Sequence, residues 1–159
     1  MGGPFRVPTW RPSPHVAAGA ANGTYALAMP VLAYQPMTLV DLAGHLGRAD
    51  DDERRWRLVL EFLEEYSHEG DGRVTLLADE PPSTGDARWD LLLGALAEHL
   101  ATTDDRQVPP WSLLGGRVWI GRIWFLDPLP SARVWALAHS PAAFRRRGVF
   151  LHPDDLHRA

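Results

Sequence analysis

The sequence predicts a mainly α fold: a small helical bundle with a tryptophan-rich extended segment, preceded by a disordered N-terminus. Three observations predict it. Apolar side chains recur at helical spacing in two long stretches, one holding Trp56, Val59, Leu60, Leu63 and Tyr66, the other Trp89, Leu92, Leu93, Leu96 and Leu100. Short polar residues suited to helix N-termini stand before such stretches, and Gly or Pro closes them. The chain has 159 residues, 45% of them hydrophobic and 23% charged, which is enough apolar matter for one buried core.

The elements follow in order. Residues 1–36 are rich in Pro, Gly and Ala, and their aromatics (Phe5, Trp10, Tyr25, Tyr34) have no regular spacing. Such a composition buries too little surface to offset its ordering entropy, so this segment is expected to be disordered. Met37 is an alternative translation start, which would make residues 1–36 an extension outside the 37–159 domain. Thr38 then caps a helix reaching Leu46 and ending at Gly47. The cluster Asp50, Asp51, Asp52, Glu53 suits the start of a second helix, which runs to His68 before the Glu69-Gly70-Asp71-Gly72 break. A short helix from Arg73 to Ala78 leads into Pro81-Pro82. The strongest helix spans about Asp86 to Thr102, capped by Thr84-Gly85-Asp86. Beyond Pro109-Pro110 lies the aromatic segment with Trp111, Trp119, Trp124 and Phe125, where weak alternation over Arg117 to Ile120 allows a short strand or extended arm. Ser131 to His139 reads as a further helix, and Pro141 starts a turn through Phe144 to Arg147, with Ser131 and Ser140 as N-caps. Most of the seven tryptophans are expected to be structural plugs of the bundle.

Composition excludes several classes of chemistry. The chain has no cysteine, so disulfides, thiolate metal sites and cysteine nucleophiles are ruled out. All 16 basic residues are arginine, which fits a GC-rich coding bias and lowers the weight of any single one. The net charge of −4 hides a division: residues 50–106 hold 16 acidic side chains against 6 arginines, and residues 107–153 hold 6 arginines against one aspartate. A uniformly basic nucleic-acid binder is not built this way. Either the two parts face each other or simply solvate separate faces, or the basic part docks an acidic partner or a nucleic acid. No apolar stretch reaches membrane-span length, and Pro4, Pro8, Pro12 and Pro14 spoil a signal peptide, so a cytoplasmic location is expected.

Few motifs carry chemistry. Glu65 and His68 have the Glu-x-x-His spacing of carboxylate-bridged metal bundles, but the only echo is Asp154 to His157, and a solvated helix face is the simpler expectation. Glu98 and His99 are sequence neighbours about 100° apart on a helix, so they form no dyad by themselves. Glu61, Glu64, Glu65 and Glu69 read as one acidic helix face. There is no nucleophile elbow and no P-loop. No catalytic residue, metal or cofactor is therefore assigned. The least ordinary feature is Arg145-Arg146-Arg147, stopped at once by Gly148 and followed by Val149-Phe150-Leu151 and a second helix start at Pro153-Asp154-Asp155. Such punctuation specifies a docked element presenting charge, either to complement the helix dipole or to grip carboxylates or phosphates. Arg145, Arg146 and Arg147, with Trp124 and Phe125, are the candidate partner-binding residues.

Several runs together, Glu61 to Tyr66, Leu77 to Asp90, Ala95 to Leu100, Trp124-Phe125 and Ser140 to Leu156, resemble a family of small uncharacterised helical proteins from high-GC actinobacteria. The resemblance covers roughly residues 38–159. It implies a setting beside a minimal nucleotidyltransferase-like protein, as in a toxin–antitoxin pair, and it carries no site residues. The expected function is a non-enzymatic helical interaction protein, the antitoxin-like partner of a toxin. The alternatives are a nucleic-acid-binding regulator using the Arg145–Arg147 corner, and a carboxylate-dependent enzyme built around Glu61 to Glu69 and His68.

Overall fold

The computed structural model describes residues 34–118 and 121–157. Most of the segment expected to be disordered, together with Trp119 and Ile120, lies outside the described residues. The protein is mainly α, with six α-helices and two short strands among the described residues.

Helix α1 (Leu39–Arg48) starts where the sequence places it, because Thr38 and Asp41 form a reciprocal capping box. Thr38 Oγ1 accepts from the Asp41 N–H at 3.1 Å, and the Thr38 N–H donates to Asp41 Oδ2 at 3.1 Å. Helix α2 (Asp52–His68) is opened by Asp51, whose carboxylate accepts from the Arg54 N–H at 2.6 Å. Leu39, Leu42, Ala43 and Leu46 of α1 and Val59, Phe62, Leu63 and Tyr66 of α2 are buried, and the two helices pack together. Helix α3 (Arg73–Leu76) is a single turn. Arg73 ties it down by donating to Glu69 O at 2.7 Å and to Asp104 Oδ1 at 3.2 Å, the same carboxylate that accepts from Tyr66 Oη at 2.6 Å.

Helix α4 (Ala87–Thr103) is the axis of the molecule. Asp86 caps it by accepting from the Arg88 N–H at 2.9 Å. The expected apolar stripe is buried over Trp89, Leu92, Leu93 and Leu96, and Leu91, Gly94, Ala95, Ala97 and Glu98 are buried as well. A helix covered on all sides is a central one. α1 lies against it, as do the 3-10 turns Pro110–Leu113 and Gly115–Arg117 and the C-terminal elements.

Of the stretch where weak alternation allowed a strand or extended arm, Val118 is extended and Trp119 and Ile120 lie outside the described residues; the described strand lies beyond it. Arg117 ends a 3-10 turn, and strand β1 (Trp124–Phe125) pairs in parallel with β2 (Val149–Phe150), Trp124 opposite Val149 and Phe125 opposite Phe150. Two causes combine. Arg117 is drawn inward by its buried guanidinium, and Gly148, at a φ of 71°, turns the chain so that its carbonyl accepts from the Trp124 N–H at 2.8 Å. A parallel pair needs a crossover. Helices α5 (Pro130–His139) and α6 (Ala142–Arg145) supply it. The expected serine caps are absent: Leu129 and Pro141 occupy the two N-cap positions without side-chain bonds. Ser140 instead closes α5, its buried Oγ lying 2.7 Å from both Ala136 O and Leu151 O and accepting from the Leu151 N–H at 2.9 Å.

The described tryptophans divide. Trp89 and Trp111 are buried, and Trp111 Nε1 donates to Leu77 O at 3.1 Å. Trp56 and Trp124 are half-buried, and Trp135 is exposed.

Candidate partner-binding surface

The three consecutive arginines do not form one charged corner. Arg145 is exposed and makes no ion pair among the described residues. Arg146 is largely exposed but ties one end of its guanidinium to Glu98 Oε1. Arg147 is 2% exposed. Its guanidinium is spent inside the protein: Nη1 donates to Glu98 Oε2 at 2.6 Å and to Ala143 O at 2.7 Å, Nη2 to Ser112 O at 2.7 Å, and Nε to Arg117 O at 2.6 Å. Arg147 thus leaves the set of candidate partner-binding residues, because no face of its guanidinium reaches solvent. Burial and the nearby Arg146 cation lower its pKa to about 10, which still leaves it charged at neutral pH.

The receiving surface is a row on α4 that the sequence reading did not single out. Asp90, Gly94 and Glu98 stand four residues apart and so share one side of the helix. Asp90 faces Arg117, whose Nη1 lies 3.4 Å from Asp90 Oδ1 and donates to Asp90 O at 3.2 Å, while Nη2 donates to Pro81 O. Glu98 faces Arg146 and Arg147. Gly94 is the notch between them: a Cβ there would lie 2.9 Å from Arg117 Cβ, 3.1 Å from Arg117 O and 3.3 Å from Arg147 Nε. The signal was present as Asp-x3-Gly-x3-Glu, but it was hidden by reading only one face of a helix that has no solvent face.

The other candidate pair, Trp124 and Phe125, is half-buried on β1. Trp124 meets the buried Trp89 edge to face at 5.1 Å, and Phe125 stacks on Phe150 at 5.3 Å. Their remaining surface lines a groove of about 530 Å³ with Trp56, Leu126 and Pro128, rimmed by Asp52, Glu53 and Arg88. The Arg88 guanidinium lies 5.2 Å from the Trp124 ring, and that of Arg133 lies 5.4 Å from the Phe125 ring. Arg133 belongs to α5, so that helix touches β1 at Phe125.

Of the acidic candidates, Glu65 is held by the chain entering α1, and His68 turns back on its own helix. Glu65 accepts from the Met37 N–H at 2.5 Å, and His68 Nδ1 lies 2.7 Å from Glu64 O. Glu98 and His99 part as their spacing requires. Glu98 turns to the arginines, and His99, half-buried, meets Phe144 edge to face at 5.7 Å. Burial, with a lesser contribution from His157, holds the His99 imidazole below its usual pKa. Among the described residues no helix is long and apolar enough to cross a membrane. In comparisons with known proteins, no family model, curated protein or solved structure matches the chain.

Proposed function

We propose that the chain is a non-enzymatic interaction protein that docks a protein partner through the groove at Trp124 and Phe125, the adjoining α5, and the exposed Arg145. One observation carries the reading. Among the described residues, eight of the ten large hydrophobic side chains left exposed fall between Leu113 and Leu137: Leu113, Leu114, Val118, Ile123, Leu129, Val134, Trp135 and Leu137. Scattered exposed apolar residues are ordinary on a protein surface; their concentration in one stretch of chain is what supports an interaction site there. The same segment carries the exposed Arg122 and Arg133 against the single Asp127, so the matching partner surface is apolar and acidic.

The resemblance makes a nucleotidyltransferase-like toxin the first partner to test. The experiment is size-exclusion chromatography with light scattering on the full chain mixed with a nucleotidyltransferase-like protein from its genomic neighbourhood. A co-eluting complex of defined stoichiometry, weakened by Arg145→Glu with an unchanged circular dichroism spectrum, supports the reading. Absence of association, together with salt-sensitive binding to mixed DNA or RNA, would move the assignment to a nucleic-acid-binding regulator.

A further inference from the structure

Helix α5 is built inside out. An amphipathic helix of a globular protein turns its large apolar residues to the core. In α5 the small residues do so instead: Ala136 is its one buried side chain and Ala132 is half-buried. The large ones face water, Val134 at 74% and Leu137 at 47% exposure. At 100° per residue, Arg133, Leu137 and Val134 fall within one stripe about 100° wide, with Val134 opposite Ala132 and Ala136 and Arg133 on its flank. Burying these two aliphatic side chains is favourable, and the isolated chain forgoes part of that gain.

The electrostatics around the stripe point one way. Arg133 lies in it, with its guanidinium held over Phe125 and donating to Pro128 O at 3.2 Å. The acids near α5, Asp127, Asp154 and Asp155, border a cavity shared with Ala132 and Ala136, on the far side of the helix. No acidic residue lies within α5 itself. The interior N–H and C=O groups of a helix are committed to its own ladder, so such a surface offers a partner side chains and no strand edge. From this arrangement we infer that the outer face of α5 receives an amphipathic helix of a partner protein whose apolar ridge is flanked by Asp or Glu. The inference rests on the interaction reading above and names the chemistry of the partner at that surface.

The test uses the full chain and two fluorescein-labelled synthetic helical peptides with the same leucine stripe. One carries Glu at every flanking position, and the other carries Lys. Fluorescence anisotropy is expected to show the Glu peptide binding roughly two- to fivefold more tightly, the worth of a rim ion pair with Arg133. Val134→Asp with Leu137→Asp should abolish that binding, and the milder Val134→Ser with Leu137→Ser should weaken it while circular dichroism confirms the fold. Equal affinity for both peptides, or binding indifferent to these changes, overturns the inference. So does a parent homodimer that the same substitutions dissolve, since the occupant would then be a second copy. A toxin complex untouched by the α5 substitutions would remove this inference alone. Glu-peptide binding without a toxin complex would remove only the choice of partner.

Discussion

Arg147→Ala separates a structural arginine from a partner-binding one. The substitution removes four donated hydrogen bonds, to Glu98 Oε2, Arg117 O, Ala143 O and Ser112 O, all between 2.6 and 2.7 Å. It also leaves the Glu98 carboxylate, 5% exposed, with Arg146 as its remaining cation. Breaking a buried ion pair from one side costs about 3–5 kcal/mol where the remaining charge is orphaned; Arg146 keeps Glu98 partly paired, but three carbonyls lose their donor as well. Each carbonyl losing a charged donor adds to the same penalty, though not additively. The expected loss is therefore about 3–5 kcal/mol, which at roughly 2–4 °C per kcal/mol for a chain of this length lowers Tm by roughly 6–20 °C. Arg145→Ala is the control, since an exposed side chain without an ion pair should change stability by less than about 0.5 kcal/mol. Urea unfolding followed by circular dichroism measures both, with the m-value checked for constancy. An Arg147→Ala protein within about 0.5 kcal/mol of the parent would refute the buried-network account and return Arg147 to the surface.

Further outcomes follow from the same geometry. Gly94→Ala should destabilise by about 1–3 kcal/mol in the same urea titration, although alanine is favoured over glycine by about 1 kcal/mol in an open helix, because the added methyl meets Arg117 Cβ at 2.9 Å. A neutral or stabilising result would show that the turn at Arg117 can retreat. His99 makes stability fall in acid: with its folded pKa below the ordinary 6.5, the unfolded chain takes up the proton first. The His99 contribution is then intact above about pH 6.5 and diminishes as pH falls from there toward the folded value, and His99→Gln should flatten that part of a Tm-against-pH curve. Tyr66→Phe should cost about 1–2 kcal/mol by thermal unfolding, since it strips Asp104 of a 2.6 Å donor, and Arg73 at 3.2 Å remains to hold that carboxylate. Reversing Arg145 to Glu should leave Tm unchanged while weakening any acidic partner, which a titration at two salt concentrations resolves.

The helices were legible because their determinants are local. The Thr38–Asp41 box, the Asp51 and Asp86 caps and the 3.6-residue stripes each lie within one turn or one element. What the sequence concealed depends on chain segments far apart. The placement of β1 at Trp124 depends on Gly148 and Val149 arriving beside it, a pairing that no alternation near Arg117 can report. Ser131 and Ser140 resemble caps by residue type, but Pro130 already holds the first helical position, and Ser140 is claimed by Leu151. In α5 alanines suffice to seat the helix near β2, so its large apolar side chains do not report which face is inward.

The split of charge along the chain is resolved in two different ways. Within the acidic part, arginines neutralise nearby carboxylates: Arg55 and Arg88 meet Asp52 and Asp86, and Arg73 meets Asp104. Across the two parts, Arg117 reaches Asp90, and Arg146 and Arg147 reach Glu98. The basic segment therefore faces the acidic one through specific buried pairs, and its remaining cations are Arg122, Arg133 and Arg145, all exposed. Which of three adjacent arginines goes inward follows from the turn that closes α6: there Arg147 folds back over the buried Ala143 and Phe144, its N–H donating to Phe144 O and its Nη1 to Ala143 O, whereas Arg145 and Arg146 stay exposed. A run of identical charges is thus three different environments, and only the member folded back over the apolar positions is structural. The surface left for a partner is narrower than the composition suggests, and it is displaced toward α5, where the apolar side chains and the unspent charge occur together.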